Sequence, residues 1–491
     1  MRSSVSPTSL LDDGGVKRAD ALAVASGIPL AELVQRAGRA VAEVAATGLA
    51  NGARVAVWAG PGMNGADARV AARCLAERHD VSLFAFGSGE GDQPLSAFEE
   101  DRYDLVIDGL FGIGLQRPLD PVCTEAVRRL AAGGSQVLSI DMPSGVDAAS
   151  GALLGAAVRA HRTVTFERRR VGHLLMPGRA QCGALIVADI GMPPDIWNDV
   201  PSVADANEPR LWLAALRHPS AAGHKYDRGH AVVFAGPVEK GGAARLSAMA
   251  ALRGGAGLVT LAAPREALSG LSAQVTALML RGCDAQDDFD GLLEDERFNA
   301  FVLGPGFGDA AKARRFAARI IEANRAVVLD ADAITAFGEA PEDLFRLCAG
   351  GTGGDVVLTP HGGEFRRLFP DIAGDGGLSK LEAARAAAAR PGAVVVFKGA
   401  DTVIAAPDGR AAINATGTPW LATAGTGDVL AGIVAAQLAQ GTPVFEAACA
   451  GVWMHGRAAE AFGPGLISED LPGALPQVHA EIAALRAPGG G

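Results

Sequence analysis

Short apolar runs alternate with helix-like segments along the first 190 residues. The runs are rich in β-branched residues, and between them apolar side chains recur at helical spacing. The predicted strands span residues 54–59, 81–86, 105–108, 137–141, 163–166 and 185–189. Regular alternation of strand and helix predicts a parallel sheet with helices on both faces, a Rossmann-like three-layer α/β domain.

The same rhythm restarts after a stretch rich in Pro, Asp and Asn between residues 193 and 209, which marks a domain seam. We place the boundary so that the domains span residues 1–206 and 207–491. The later predicted elements are a helix over 242–253 and strands over 231–235, 258–262, 301–304, 326–330, 355–359 and 394–398. Segments 402–406 and 411–414 flank Pro407-Asp408-Gly409, which predicts a hairpin. A second α/β domain is expected.

Composition narrows the class of protein. The chain has 491 residues, 49% hydrophobic and 20% charged, as in a globular protein of two sizeable domains. It lacks a run of roughly 18 apolar residues and an N-terminal signal core, so we expect a cytoplasmic protein. The net charge of −11 argues against nucleic acid or a membrane surface as partner. Six scattered cysteines predict buried small side chains.

The most informative motif is Thr423-Ala424-Gly425-Thr426-Gly427-Asp428, which runs directly into a predicted helix. Gly425 and Gly427 allow the backbone to approach an anion, and the N–H groups at the helix start point at it. A carboxylate beside an anion site suits a base that takes a proton from a hydroxyl attacking phosphorus. Alternatively, Asp428 caps the helix.

Four further segments lie at predicted strand ends: residues 224–229, 304–308, 359–364 and 398–402. We expect all of them to meet the Gly-Thr-Gly-Asp motif at one edge of the sheet. His361 is either a structural histidine that joins a strand end to its turn or a ligand-site residue, and we favour the second. Asp330 and Asp332 are either site carboxylates or strand-end caps.

From residue 224 to 460 the chain resembles the ADP- or ATP-dependent NAD(P)H-hydrate dehydratases, which have a ribokinase-like α/β fold. The resemblance rests on HKYDRGHAVVFAG, ALRGGAGLVTLAAP, GPGFG, VLDADAI, LTPHGGEF, KGADT and LATAGTGDVLAG. That family restores NADH or NADPH to which water has added across the nicotinamide ring, at the expense of a nucleotide. The resemblance implies that the adenine nucleotide contacts Lys398, Gly399, Ala400, Asp401, Thr402, Gly425, Thr426 and Gly427. It also implies a hydrate site at Ala256, Gly306, His361 and Asp428.

The residue chemistry suits that resemblance. Hydroxide is a poor leaving group, so making a phosphate ester before elimination is a direct use of a nucleotide. Asp428 would deprotonate the ring hydroxyl as it attacks the terminal phosphate, and the amides of residues 425–427 would hold the developing charge. Mg²⁺ is expected with the ADP or ATP, held mainly by phosphates and water.

From residue 10 to 193 the chain resembles the NAD(P)H-hydrate epimerase domain, which interconverts the two epimers and binds a monovalent cation, usually K⁺. The matching segments are AGRAVAE, GPGMNGAD, DGLFGIGLQRP, IDMPSGVD, HLLMPG and DIGMP. The resemblance implies a cation at Asn64, Asp108 and Ser144. It implies hydrate contacts at Met63, Asn64, Gly65, Ala66, Asp67, Gly112, Ile113, Gly114, Leu115, Gln116, Arg117, Pro118 and Asp141. We expect Asp141 to be the acid/base, since inversion at a carbon that bears a hydroxyl needs proton transfer.

The first domain departs from its family's usual pattern. Met63, Ala66 and Ala68 replace an Asn and two Gly of the Gly-rich loop, and alanine would strain the loop if those glycines had positive φ. Arg170 stands where the family commonly has lysine, and an arginine cannot act as a neutral base. The Arg168-Arg169-Arg170 run is either a solvated basic face or a phosphate contact.

Two alternatives remain open. The second domain alone would also permit a ribokinase-like small-molecule kinase that releases a phosphorylated product. Separately, the first domain is either an active epimerase or a non-catalytic module attached to a working dehydratase, and its altered loop supports the second interpretation. The expected partners are NADH and NADPH hydrates with ADP or ATP, and a homo-oligomer is expected from the ribokinase-like relatives.

Overall fold

The computed structural model describes residues 8–87, 92–220, 222–350 and 355–486. The chain divides into two compact units, with the division between Ala206 and Asn207. No described helix is long and apolar enough to cross a membrane. No disulfide joins the described cysteines, and four of the six are buried.

The first unit contains a seven-stranded parallel sheet. The described strands of this unit, inside and outside that sheet, are β1 (Ser9–Leu11), β2 (Arg54–Ala59), β3 (Asp80–Ala85), β4 (Gln93–Pro94), β5 (Leu105–Gly109), β6 (Gln136–Ile140), β7 (Arg162–Phe166), β8 (Arg169–Arg170), β9 (Ala184–Ala188) and β10 (Ala204–Ala206). The sheet order is β4-β3-β2-β5-β6-β7-β9. The helices are α1 (Asp13–Ala25), α2 (Leu30–Ala46), α3 (Met63–Leu75), α4 (Pro121–Ala132) and α5 (Gly178–Cys182). The six predicted strands are confirmed, each boundary within one residue.

Alternate side chains of β2 separate the two faces of this sheet, because successive residues of a strand point to opposite sides. Val55 and Val57 pack in a cluster with α2 and α3. Ala56 and Trp58 pack in the other cluster, with Phe98 and α4. Helices therefore cover both faces, which confirms the three-layer arrangement.

Three short strands form a separate ribbon that the hydrophobic pattern does not predict. β1 pairs with β10 in the antiparallel sense and with β8 in the parallel sense. Each is two or three residues long, too short for a visible alternation. The ribbon holds Arg170, the last residue of β8, next to Leu11.

The second unit is also built on a mainly parallel sheet, in the order β13-β12-β11-β14-β15-β16-β17-β18-β19. These strands are β11 (His230–Phe234), β12 (Leu258–Ala263), β13 (Met279–Gly282), β14 (Ala300–Leu303), β15 (Ala326–Leu329), β16 (Val356–Leu358), β17 (Val394–Phe397), β18 (Val403–Ala405) and β19 (Ala411–Ile413). β11 to β17 are parallel, and β18 and β19 form the predicted antiparallel hairpin. β13 was not predicted.

Helices cover both faces of the second sheet. They are α6 (Pro209–Trp212), α7 (Gly241–Arg253), α8 (Leu268–Ser272), α9 (Gln286–Leu293), α10 (Ala310–Glu322), α11 (Asp332–Thr335), α12 (Pro341–Gly350), α13 (Gly362–Leu368), α14 (Pro370–Gly374), α15 (Lys380–Ala389), α16 (Thr426–Ala439), α17 (Val444–Phe462) and α18 (Leu471–Arg486). α16 is apolar all round and is buried between α7 and α17 on one face. On the other face, Phe289 of α9 stacks on Phe316 of α10.

Candidate active sites

Asp428 lies in the first turn of α16 but does not cap it. The N-cap is Gly425, in the left-handed region with φ +88°. A side chain at Gly425 would come within 2.7 Å of the Ser468 hydroxyl, so only glycine fits this turn. Thr426 closes the loop by donating a hydrogen bond to the Leu421 carbonyl at 2.9 Å. The capping interpretation of Asp428 is therefore wrong.

The carboxyl of Asp428 has no hydrogen-bonding partner among the described residues, and it is half-buried. Its pKa is raised to about 7, chiefly by burial and also by the nearby carboxylates of Asp330, Asp332 and Glu364, against the lowering effect of Lys398. A carboxylate that is half-protonated near neutral pH and has no structural hydrogen bond is suited to take a proton from a substrate.

Lys398 provides the positive charge of this site. It follows β17, and its ammonium lies 2.7 Å from Oδ1 of Asp330. Burial lowers the pKa of Lys398, but the carboxylates of Asp330, Glu364 and Asp428 raise it more, so it stays charged. Its Nζ atom is also 3.2 Å from the position that a side chain on Gly427 would take. The ammonium thus lies directly beside the first turn of α16. The backbone N–H groups of a first helical turn have no partner within the helix, so they can bind an anion.

The rest of the 398–402 segment is fixed by its own hydrogen bonds. Thr402 Oγ1 accepts from the Gly399 N–H at 3.1 Å and donates to the Gly399 carbonyl at 2.8 Å. Asp401 forms an ion pair with Lys380. Burial lowers the pKa of Lys380, while Asp401 raises it in opposition. The turn is therefore rigid and presents Lys398 at the sheet edge.

The glycine-rich segment after β14 lies at the same edge. Gly306 has φ +61°, and a side chain there would come within 2.6 Å of the Lys240 carbonyl and 3.3 Å of Ala243. Gly308 donates a hydrogen bond from its N–H to Asp332 at 2.8 Å. Asp332 also raises the pKa of Asp428, so the glycine-rich segment and Asp428 have this carboxylate as a common neighbour.

Ala256, by contrast, lies away from this edge. It precedes β12, whereas Gly306 follows β14, and the two strands are parallel to β11 between them. A side chain at the adjacent Gly255 would meet Gln440, the C-cap of α16, and Asp428 is at the other end of that helix. The alanine that lies beside Gly306 is Ala243, in the first turn of α7.

Residues 224–229 also lie at the opposite edge, so our expectation of a single edge was wrong for this segment. They form a helical turn that precedes β11 and ends at Gly229. In a parallel sheet only the segments that follow strands reach the carboxyl edge. The segments 304–308, 359–364 and 398–402 do follow strands.

His361 has the structural role that the sequence left open, and its ligand-site role stays a prediction. It is the N-cap of α13, and its Nδ1 accepts hydrogen bonds from the N–H groups of Gly363 at 2.9 Å and Glu364 at 3.1 Å. The Glu364 carboxylate accepts from the His361 N–H at 2.8 Å. The side chain is 57% exposed, and its Nε2 lies 3.5 Å from Oε1 of Glu364.

The first unit contains a largely apolar cavity of about 430 Å³ at the carboxyl edge of its sheet. The predicted hydrate residues that line it are Met63, Asn64, Asp67, Gly112, Ile113, Gly114, Leu115 and Asp141. Gly65, Ala66, Gln116, Arg117 and Pro118 do not line it. Gly65 has a packing role instead, since a side chain there would come within 1.9 Å of the Gly60 carbonyl.

The three predicted cation ligands come together beside this cavity. Asp108 is fully buried, and it accepts hydrogen bonds from the hydroxyls of Ser144 at 2.6 Å and Ser139 at 2.9 Å. Asn64 donates through Nδ2 to the carbonyls of Phe111 at 3.0 Å and Ile140 at 2.7 Å. The possible ligand atoms of these side chains are an amide oxygen, a hydroxyl oxygen and the oxygens of one buried carboxylate. Such a set fits a hard cation. No described group of three or more His, Cys, Asp or Glu side chains could hold a metal ion.

Asp141 is held in a strained backbone conformation at the end of β6, with φ +60°. Its Oδ1 accepts a hydrogen bond from Thr165 at 2.8 Å and lies 3.2 Å from Arg170. His173 donates from Nε2 to the Asp141 carbonyl at 2.6 Å, since its Nδ1 accepts from the Arg170 N–H. Burial lowers the pKa of His173 to about 4, so the imidazole is neutral.

Two concerns about the first unit are resolved by the structure. Ala66 and Ala68 lie inside α3, and neither has positive φ, so the substitutions do not strain the loop. Arg170 is 3% exposed, which makes the solvated-face interpretation wrong for this residue. Its neighbour Arg168 stacks on Trp197 at 4.2 Å.

Sequence reasoning missed two charged features of the cavity. Asp20 of α1 lines the cavity, although α1 carries no recognised motif. Asp67 was predicted as a hydrate contact. The sequence did not indicate that its pKa is raised to about 8 by burial and by the carboxylates of Asp141 and Asp20. A carboxyl on an otherwise apolar helix face, as at Asp20 beside Ala19 and Ala23, was the available signal.

Comparison with known proteins agrees with both units. Residues 231–468 match the family model described as NAD(P)H-hydrate dehydratase, and residues 30–94 and 88–172 match the YjeF-related protein N-terminus. The bifunctional NAD(P)H-hydrate repair enzyme of Gloeobacter violaceus is 37% identical, over 91% of this chain and 92% of its own. That of Mycobacterium leprae is 33% identical, over 96% and 98%.

The chain belongs to the family of bifunctional NAD(P)H-hydrate repair enzymes. The ADP/ATP-dependent NAD(P)H-hydrate dehydratase of Bacillus subtilis, co-crystallised with ATP and Mg²⁺, has 27% identity and a TM-score of 0.50, over 56% of this chain and 98% of its own. The ribokinase-like expectation for the second unit is confirmed. Membership in this family favours neither the small-molecule kinase nor the non-catalytic first domain.

Proposed function

We propose that the second unit dehydrates NAD(P)H hydrate by phosphoryl transfer, with Asp428 as the base. One observation carries this proposal. The Asp428 carboxyl has a pKa of about 7 and no structural hydrogen bond, and it lies in the helix turn that forms the anion site beside Lys398.

The step follows from that geometry. Asp428 takes the proton of the ring hydroxyl while the oxygen forms a bond to the terminal phosphorus, and the bond from phosphorus to the rest of the nucleotide breaks. The ester then leaves as inorganic phosphate as the neighbouring ring carbon loses a proton, which restores the double bond. Lys398 and the first-turn amides of α16 stabilise the transferred group, because they face the place where negative charge develops.

Mg²⁺ fits this site as a companion of the nucleotide. The described residues offer no cluster of three or more His, Cys, Asp or Glu side chains that could hold a metal ion. Phosphate oxygens and water would hold the ion. When bound, the ion neutralises phosphate charge.

In the first unit we assign epimerisation to the cavity, with Asp141 as the acid/base and K⁺ at Asn64, Asp108 and Ser144. The strained backbone of Asp141 and its three fixed contacts, to Thr165, Arg170 and His173, support a positioned functional group. Hydrate contacts at residues 63–67 and 112–118 are supported for the members that line the cavity.

Within the second unit, the segment 398–402 and residues 425–427 are assigned to ADP or ATP. Gly306 and His361 are assigned to the hydrate, and Ala243 replaces Ala256 there. A homo-oligomer stays a prediction for sedimentation velocity to test.

The test is recovery of NADH or NADPH absorbance from a mixture of hydrate epimers. With ADP or ATP, the wild type should convert the whole mixture, and Asp428→Asn should lose at least about a thousandfold in rate while it still binds the nucleotide. Asp371→Asn, in an exposed ion pair with Arg390, is the matched control and should keep the wild-type rate. Recovery without nucleotide, or an active Asp428→Asn enzyme, would refute the proposal.

A further inference from the structure

Asp330 is a buried carboxylate with no role in the proposed reaction. It follows β15 and is 1% exposed. One oxygen, Oδ1, accepts hydrogen bonds from the Thr359 hydroxyl at 2.7 Å and from the Lys398 ammonium at 2.7 Å. A buried carboxylate must be compensated, and these two donors do so.

The backbone around Asp330 leaves it no freedom to move. Its N–H donates to the Leu303 carbonyl at 3.1 Å. Gly304 passes so close that a side chain there would lie 1.7 Å from the Asp330 carbonyl. The next residue, Ala331, has φ +46°, a conformation that only a tightly determined turn maintains. Asp330 is therefore a rigid anchor.

Three carboxylates act on Lys398, those of Asp330, Glu364 and Asp428. The charged groups that face Asp428 are Lys398 after β17, Asp330 after β15, Asp332 of α11 and Glu364 of α13. Of these, the ammonium of Lys398 binds Asp330 and makes no hydrogen bond to Asp428. A direct pair with the ammonium would strongly favour the ionised form of Asp428 and make it a weaker base.

We propose that Asp330 is a positioning residue, which binds the Lys398 ammonium and withholds it from Asp428. The lysine then faces the anion site at Gly427 without neutralising the base. This inference rests on the proposed role of Asp428. Asp330 itself touches neither the hydrate nor the transferred phosphoryl group.

The pH profile of kcat/KM for the hydrate at saturating nucleotide tests this role. Asp330→Asn keeps the shape of the side chain but releases the ammonium. The acidic limb should move down by about one pH unit, and the plateau should fall by less than about tenfold, because a weaker base transfers the proton less well and the rate follows its basicity only in part. Thr359→Val loosens the same anchor and should move the limb in the same direction by less.

Asp330→Asn also removes a negative charge near Asp428, and this alone would lower the pH of the acidic limb. The effect of Asp330 must therefore be measured with and without Lys398. Lys398→Met should move the limb up, since Asp428 loses its cation. If Asp330 acts through Lys398, Asp330→Asn in the Lys398→Met background should shift the limb by less than half of its effect in the wild type. Equal shifts in the two backgrounds would overturn the proposal, as would an unmoved limb in both Asp330→Asn and Thr359→Val.

The position of the limb does not depend on the fraction of folded enzyme, so partial unfolding lowers the plateau only. The control Asp371→Asn should leave the limb unchanged. An Asp428→Asn enzyme that keeps its activity would refute the proposed function, whereas an essential Asp428 whose limb ignores Asp330 would refute only this inference.

Discussion

Arg170 forms a buried ion pair with Asp141, with 3.2 Å between Nη2 and Oδ1 and side-chain exposures of 4% and 8%. The pair joins the short strand β8 to the end of β6. Buried charges are tolerated only when they are paired and hydrogen-bonded, and here Thr165 and His173 complete the contacts of Asp141. An arginine therefore serves this position as a fixed cation beside the Asp141 carboxylate.

We expect Arg170→Met to lower epimerisation at least a hundredfold and to destabilise the enzyme by about 3–5 kcal/mol, because Asp141 is left buried and unpaired. Arg170→Lys should retain part of both properties. Chemical denaturation and the rate of interconversion of the purified epimers measure the two effects. Wild-type epimerisation in Arg170→Met would show that the pair is structural only.

Asp67 should make the stability of the enzyme depend on pH. Its pKa is raised from 3.8 to about 8 by burial and by Asp141 and Asp20. Between these values the folded state binds a proton that the unfolded state has lost, so the free energy of unfolding falls as pH rises from about 4 to 8.

Asp67→Asn abolishes this penalty. The variant should therefore be more stable than the wild type at pH 8, by an amount on the order of a few kcal/mol, and the gain should vanish near pH 4. Denaturant midpoints measured across this range test the expectation. A difference that is independent of pH would contradict it.

Much of this architecture follows from local signals. Strands with strong apolar runs, such as β2 and β14, are predicted to within a residue, because burial on both faces of a parallel sheet dictates their composition. β8 and β13 were missed, since a two-residue strand has no period and β13 is partly exposed at a sheet edge.

In the sites, too, some features are predictable from the sequence and others are not. Asp428, Gly306 and Asp141 were recognised by motif, and each lies after a strand or at a helix start. Ion pairs such as Lys398 with Asp330 join residues 68 positions apart, and the pairing depends on the packing of three strands. Ala256 was assigned to the hydrate site by its motif but lies at the opposite edge of the sheet. A matching motif does not tell which edge of the sheet its residues occupy.

The dehydratase rate should rise with pH through about 7. Asp428 must be ionised to accept a proton, and its pKa is raised to about 7, so the enzyme is mostly inactive at pH 5 and reaches its plateau near pH 8. The measurement is kcat/KM for the hydrate between pH 5 and pH 8. A flat profile down to pH 5 would contradict the role of Asp428.

Cation exchange should separate the two activities. Replacement of K⁺ by tetramethylammonium, which is too large for a site among Asn64, Asp108 and Ser144, should lower epimerisation and leave dehydration of the purified substrate epimer unchanged. Addition of a magnesium chelator should have the opposite pattern, since Mg²⁺ serves the nucleotide. Equal loss of both activities in tetramethylammonium would contradict the assigned cation site.

Ala243 and Ala256 offer a direct test of which alanine lies at the hydrate site. Ala243 is half-buried in the first turn of α7 and adjoins Gly306, so Ala243→Leu should fill the space there and raise KM for the hydrate at least tenfold while ADP binding is kept. Ala256 is 2% exposed at the opposite edge, so Ala256→Ser should lower stability by about 1–3 kcal/mol and leave KM unchanged. Steady-state kinetics and thermal unfolding of both variants decide the matter. A raised KM in Ala256→Ser together with a normal one in Ala243→Leu would return the site to Ala256.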